Sequence, residues 1–506
     1  MPKSGKLQSL HDIDREARLL ERSIALLHWD MELNLPPMGI EERSLQLAQL
    51  EGMSHEMLTA KKNGRLLDDL GSTPDNPGGD EHLPQIERDF LRVFRQNYDR
   101  LTKLPSQFVK DSAMEEGYSH PAWVKARRDN DFPYFLPHLE KMIETAKKKS
   151  AYWGYEDTYD GLLSIFEPGM KTGDIAKLFS PLKTALAGLI KKIGKAPAID
   201  PEFLNLAYDV KKQEGFNHTV LEHLGFDKER GRLDVSVHPF TTTLGTDDVR
   251  ITTRYFARNM ISGVFSTIHE AGHAMYEMGF PREIRGTCLA DGASMGIHES
   301  QSRLWENVIG RSREFWVPLY GKLQGVFKKQ LGTVGIDDFI KGINRVEPSF
   351  IRVDADEVSY SLHIILRFEL ERKLFSGSLS PADLPGVWRS MMKEYLGVDV
   401  GNDAQGVLQD IHWSMGSFGY FPSYALGNLY GLQIWNTLKR AIPNTQDLIE
   451  AGDFGDIKNW LKDTVYVWGR RLSPPELLLK VTGKELSTAP FVQYIRDKYS
   501  RLYGLG

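Results

Sequence analysis

Apolar residues recur at the helical period over most of the chain. Between Leu10 and Trp29, residues Leu19, Leu20, Ile24 and Leu27 fall on one stripe, the spacing of a single buried helical face. The pattern resumes from Glu42 to Leu58 after Pro36-Pro37, so residues 8–60 are predicted to form a helical hairpin. A Gly-, Pro- and Asp-rich loop, STPDNPGGDEHLP, follows. Helical periodicity then returns over Leu91–Leu101, Phe135–Ala151, Thr172–Ile193 and Pro201–Leu224. Residues 233–255, LDVSVHPFTTTLGTDDVRITTRY, depart from it. They are rich in Val, Thr and Phe, alternate with period two and break at Leu244-Gly245, which is the pattern of a β-hairpin. Residues 262–278 read as one helix with Ile261, Val264, Phe265, Ile268, Met275 and Met278 as its apolar stripe, ended by Gly279 and Pro281. Helical patterns continue to the end. With no fixed-period repeat and no linker, the expectation is one large, mainly α domain over residues 1–506 containing a small β-element.

Composition narrows the function classes. A formal charge of −5 argues against the concentrated basic surface that nucleic acid or an anionic membrane requires. No stretch approaches the ~18 uninterrupted apolar residues of a membrane span. The only cysteine is Cys288, so no intramolecular disulfide forms. Nothing marks it as an activated nucleophile. The first residues lack the apolar core of a signal peptide. A soluble cytoplasmic protein is expected.

The chemistry concentrates at His269-Glu270-Ala271-Gly272-His273. Two histidines four residues apart project from one helix face, one turn apart. Both imidazoles can then reach one Zn²⁺ at ~2.0–2.1 Å. Glu270 lies about a hundred degrees around the helix, placed beside a metal-bound water as general base. A third protein ligand is needed, and the position six residues beyond His273 is Gly279, not a histidine. Two carboxylates compete. Glu277 shares the helix face but stands one turn beyond the metal. Glu299 lies 26 residues after His273 on the helical segment GIHESQSRLWEN, and a ligand from a second packed helix converges better. Glu299 is therefore expected as third ligand. Glu277 is expected to orient a ligand imidazole or an arginine, and His298 to be structural. Co²⁺ or Mn²⁺ could occupy the same ligands.

Six elements in order make the chain resemble a known family, the M32 zinc carboxypeptidases of the thermostable-carboxypeptidase type. His238-Pro239-Phe240 matches HPF, Asp248-Val249-Arg250-Ile251-Thr252 matches DxRxT, and HEAGH at 269–273 is the zinc helix. His298-Glu299-Ser300-Gln301 matches the third-ligand segment, residues 351–356 match IRxxAD, and residues 406–413 match GxxQDxHW. The stretch HWDMELNLPP at 28–37 is similar to the family's N-terminal hairpin. The resemblance implies a mainly helical, saddle-like body with a deep groove, related to neurolysin and angiotensin-converting enzyme. It implies removal of single C-terminal residues from peptides with broad specificity, poorly when that residue is proline, and a homodimer.

Further roles follow from this frame. The β-element at 233–255, His238 included, is expected to border the substrate, with an extended peptide adding to its edge. His412, Tyr420 and Tyr424 are candidates for stabilising the oxyanion. Arg352 and Arg250 are candidates for gripping the terminal carboxylate, because a guanidinium binds it bidentately. Asp354 is positioned to cap a helix directly after Arg352, with Glu357 closing a capping box. Asp248 and Asp356 are expected to buttress the arginines. An oligoendopeptidase or dipeptidyl carboxypeptidase would share the zinc residues, and the IRxxAD and GxxQDxHW elements favour the carboxypeptidase. A non-catalytic scaffold is disfavoured by the retained Glu270 and by the single cysteine, since structural zinc sites are often rich in Cys.

Overall fold

Pro36 and Pro37 divide the N-terminal stretch into α1 (Lys3–Leu33) and α2 (Ile40–Thr59), the predicted hairpin, in a computed structural model that describes residues 3–505. The near half of α1 anchors it. Leu10, Ile13 and Ala17 are buried, and buried Asp14 accepts the Cys288 backbone N–H at 2.6 Å. Beyond Ala17 the one buried side chain of α1 is Trp29. The segment 201–224 is not one helix. A 3₁₀ turn, Glu202–Asn205, precedes Val210–His223, because Asp209 caps a fresh start by accepting the Lys212 N–H at 3.0 Å. Ser106–Asp129 forms a helix that the apolar pattern does not announce; its buried positions include Ser112, Ser119 and Ala122, and it contains Pro121.

The β-element is a mixed sheet of β1 (Gly231–Val235), β2 (Thr241–Gly245) and β3 (Asp248–Thr253), in the order β1-β3-β2. β2 and β3 are the predicted hairpin, with the turn at Thr246-Asp247 rather than at Leu244-Gly245. β1 adds parallel to β3, pairing Arg232 with Arg250 and Leu233 with Ile251. Val249 and Ile251 of the central strand have no exposed surface.

α3 (Met260–Met278) packs against this sheet and against α4 (Met295–Arg303). α4 runs on into a π-helix, Leu304–Gly310, a widened turn that is rare and recurs at functional sites. Two glycines let backbones meet here. A Cβ on Gly272 of α3 would stand 2.7 Å from Ser302 Cα of α4. A Cβ on Gly427 would stand 2.7 Å from Glu299 Cγ; Gly427 belongs to α6 (Phe421–Ala441), which follows α5 (Tyr360–Phe375). Asp354 does not cap α5. Residues Arg352–Asp354 make a single 3₁₀ turn, and Asp356 accepts the Val358 and Ser359 N–H groups at 2.9 Å each, one turn later. Glu357 is buried against Lys498 (2.7 Å) and Tyr499 (3.0 Å) of α7 (Ala489–Tyr503). Buried apolar residues from Leu10 to Tyr499 form one continuous core. Among the described residues no helix is long and apolar enough to cross a membrane.

Candidate active site

His269 and His273 of α3 and Glu299 of α4 bring three ligand atoms within 4.8 Å of one another. Glu299 Oε2 lies 3.7 Å from His269 Nε2 and 3.6 Å from His273 Nε2. Tetrahedral zinc with bonds of ~2.0–2.1 Å separates its ligands by about 3.3 Å, so the set fits a divalent cation with little adjustment. The outward ring nitrogens are occupied. His269 Nδ1 faces Glu306 Oε2 at 2.9 Å. His273 Nδ1 lies 2.5 Å from His298 Nδ1, and His298 Nε2 lies 2.7 Å from Glu277 Oε1. With the outer carboxylates ionised and accepting these hydrogen bonds, His269 and His273 carry hydrogen on Nδ1 and present a bare Nε2 inward, the tautomer a metal ligand needs. Glu277 thus reaches the His273 imidazole through His298.

Arg303 organises the carboxylates. Its Nε donates to Glu299 Oε1 at 2.7 Å, its Nη1 reaches Glu306 Oε2 at 3.4 Å, and its guanidinium lies over the Tyr360 ring at 4.2 Å. Burial alone would raise both acids, but Arg303 and His269 outweigh it, holding Glu299 well below the carboxylate range and Glu306 at about 2. Burial, with His298 alongside, pushes His273 down to about 3, so it stays neutral and able to ligate. Glu270 is raised, chiefly by burial, and the Thr241 hydroxyl donates to its Oε2 at 2.6 Å.

A second cluster stands close by. Arg352 is buried; its Nε donates to Asp410 Oδ1 at 2.9 Å and its Nη1 to the Tyr360 hydroxyl at 3.3 Å. Arg367 holds the other oxygen, Asp410 Oδ2, at 2.6 Å. The Arg352 guanidinium lies 5.0 Å from the Tyr424 ring. Tyr424 meets His412 Nε2 at 3.2 Å and packs edge-on against Tyr420 with centroids 5.0 Å apart. Burial lowers His412 to about 4, so it is neutral at pH 7. Burial and the nearby Glu299 carboxylate raise Tyr420, which keeps its proton. Tyr360 and Tyr420 both feel the Glu299 charge, which ties this aromatic wall to the triad.

Residues 9–499 match the family described as Carboxypeptidase Taq (M32) metallopeptidase. The chain is 40% identical to carboxypeptidase 1 of Bacillus subtilis over 95% of both chains. It is 38% identical to thermostable carboxypeptidase 1 of Thermus thermophilus over 100% of both. The crystal structure of an M32 carboxypeptidase from Deinococcus radiodurans superposes with a TM-score of 0.95 at 36% identity, covering 99% of this chain and 100% of that one. The chain belongs to the M32 carboxypeptidase family. It is accordingly a metal-dependent peptide hydrolase, and His269, His273 and Glu299 supply a fitting divalent-metal site in this M32 chain.

Two of the M32 motif residues stand apart from the convergence. Arg250 neighbours Ile251, whose partner Thr241 touches Glu270, so strand alternation puts Arg250 on the other face of the sheet. There it pairs with Asp248 at 2.9 Å and lies 4.7 Å over the Trp29 ring, docking α1 rather than lining the triad. His238 is exposed in the turn between β1 and β2. Among the described residues Asp356 pairs with no arginine; Asp410 does that work for Arg352 and Arg367. Cys288 is buried and its thiol pushed up by burial. Arg303, Glu306, Thr241, Tyr360 and Arg367 were not singled out by the sequence. Arg303 had a visible signal, an i,i+4 pair with Glu299. Thr241 needed the sheet register, and Glu306 needed the π-turn.

Proposed function

We propose that this M32 chain is a zinc carboxypeptidase that removes single C-terminal residues with broad specificity, with Glu270 as general base. The observation that carries the reading is a pairing. An inward-facing His269–His273–Glu299 set shares one aromatic wall with a buried arginine, Arg352, whose Asp410 and Tyr360 contacts fix its plane. A zinc ion held by those three residues supplies Lewis acidity, polarising the scissile carbonyl and acidifying the attacking water.

The chain's own groups do the rest. Thr241 occupies Glu270 Oε2, so Oε1 is the oxygen free to take a proton from water as the new C–O bond forms. Glu270 then returns that proton to the amine nitrogen as the C–N bond breaks, leaving a shortened peptide and a free amino acid. Its raised affinity for a proton suits both halves of the transfer. Tyr420, Tyr424 and His412 are neutral hydrogen-bond groups suited to stabilising charge that develops on the carbonyl oxygen. The Arg352 fork receives the substrate carboxylate.

The test is the product series from an N-terminally blocked peptide, with and without chelator. Stepwise loss of single C-terminal residues, abolished by chelator and restored by zinc, is expected. Dipeptides or internal fragments would rule out single-residue release.

A further inference from the structure

Glu167 belongs to none of the motifs above, yet its carboxylate has no exposed surface. It stands in the run Ile165-Phe166-Glu167-Pro168-Gly169 after the short helix Thr158–Leu163. Among the described residues no lysine or arginine pairs with it, and burial pushes it up to about 7. Its Oε1 accepts the backbone N–H of Gly296 at 2.5 Å and the Ser423 hydroxyl at 2.7 Å. Ser294, the N-cap of α4, accepts the Ile297 N–H at 3.0 Å, while among the described residues Glu167 Oε2 is buried without a hydrogen-bond partner. The Phe166 carbonyl accepts the Met295 N–H at 3.0 Å, and the Phe166 ring meets Tyr420 edge-on at 4.8 Å.

These contacts satisfy the first N–H donors of α4, groups that no helix can satisfy internally. They also reach α6 at Ser423, between Tyr420 and Tyr424. Further along the same two helices Gly427 packs against Glu299 itself. We propose that Glu167 is a positioning residue, a clasp that joins the start of α4 to the start of α6. It thereby sets where Glu299 stands relative to the two histidines and to the Tyr420 and Tyr424 hydroxyls. The inference rests on the metal assignment made above and adds a residue to it. Glycine at 296 fits the same picture, since a Cβ there would lie 2.7 Å from Glu167 Oε1.

The full chain carrying Glu167→Ala, Glu167→Gln or Gly296→Ala is titrated with zinc against a chromophoric chelator, with kcat, KM and far-UV circular dichroism recorded alongside. Loss of an outer partner costs about 10–100-fold in metal affinity, and that weakening is expected for Glu167→Ala and Gly296→Ala, with kcat falling more than KM rises. The Gln variant keeps one carbonyl oxygen to accept both the Gly296 N–H and the Ser423 hydroxyl, so its zinc affinity should stay within about threefold of wild type. Wild-type zinc affinity in Glu167→Ala overturns the proposal, as does a Gln variant as weak as the Ala variant. Should Glu167→Ala lose its helical signal, Gln and Gly296→Ala decide, and a harmless Gly296→Ala overturns it. A wild-type chain that fails to bind zinc would instead overturn the metal assignment.

Discussion

Thr241 holds one oxygen of Glu270, and on the proposed general-base role removing that carboxylate should separate binding from turnover. Glu270→Gln is expected to retain zinc by metal analysis while kcat falls by at least about 10²–10⁴-fold, the usual yield of general acid–base catalysis. Near-normal turnover would dismiss Glu270 as base. Arg352 offers a second single-residue test. Lysine supplies one point charge where the arginine fork meets Asp410 and Tyr360 together. Arg352→Lys should raise KM for free-carboxylate peptides about tenfold or more with zinc content unchanged. A wild-type enzyme that cleaves amidated and free peptides equally well would end the carboxylate-clamp reading for any arginine. At this scale the sequence was most readable where spacing on one helix carried the signal, as at His269, Glu270 and His273. Arg250 shows the opposite case. In a strand one residue decides the face, and the hairpin pattern alone does not say which face meets α3.

Between elements, close approach is what turns separate helices into a site. Gly272 lies inside the HEAGH run, and its missing side chain admits the α4 backbone at Ser302. A methyl group there has to push on backbone rather than on a flexible side chain. Gly272→Ala should therefore cost about 1–3 kcal/mol of stability and weaken zinc binding, both measurable by denaturant titration and chelator competition. Equal stability and affinity would show that α4 approaches less tightly than the structure has it. Helix positions were legible wherever an apolar stripe ran unbroken, as in α3. The helix Ser106–Asp129 was not, because serines and alanines fill much of its buried face. The β1 strand escaped too, since its parallel pairing depends on a partner that comes later in the chain. The π-turn after α4 left no trace in the apolar pattern, although it carries Glu306, the partner of His269.

The whole molecule carries buried acids whose proton uptake links folding to pH. Glu371 accepts bonds from Tyr159, Trp413 and the Gly419 N–H, yet burial still lifts it to about 7. An unfolded glutamate releases its proton near pH ~4.3. Between these values the folded chain holds a proton that the unfolded chain has lost, so the stability this group allows in acid declines as pH rises toward 7. The decline amounts to about 4 kcal/mol once complete. Urea midpoints from pH 5 to 8 should fall less steeply for Glu371→Gln than for wild type, and parallel curves would contradict the assignment. Across the molecule, the mainly helical class and its one β-element were legible from periodicity, whereas the carboxylate networks that couple distant segments were not, because nothing local encodes a partner over two hundred residues away. Arg303 carries a last consequence. By engaging Glu299 Oε1 it leaves Oε2 as the oxygen turned toward the histidines, so Glu299 would hold a metal through one oxygen. Calcium seeks six to eight oxygens, often from bidentate carboxylates, and finds one oxygen and two nitrogens. On the proposed assignment, a centre with this donor set would favour small four-coordinate metals over calcium even where calcium is plentiful.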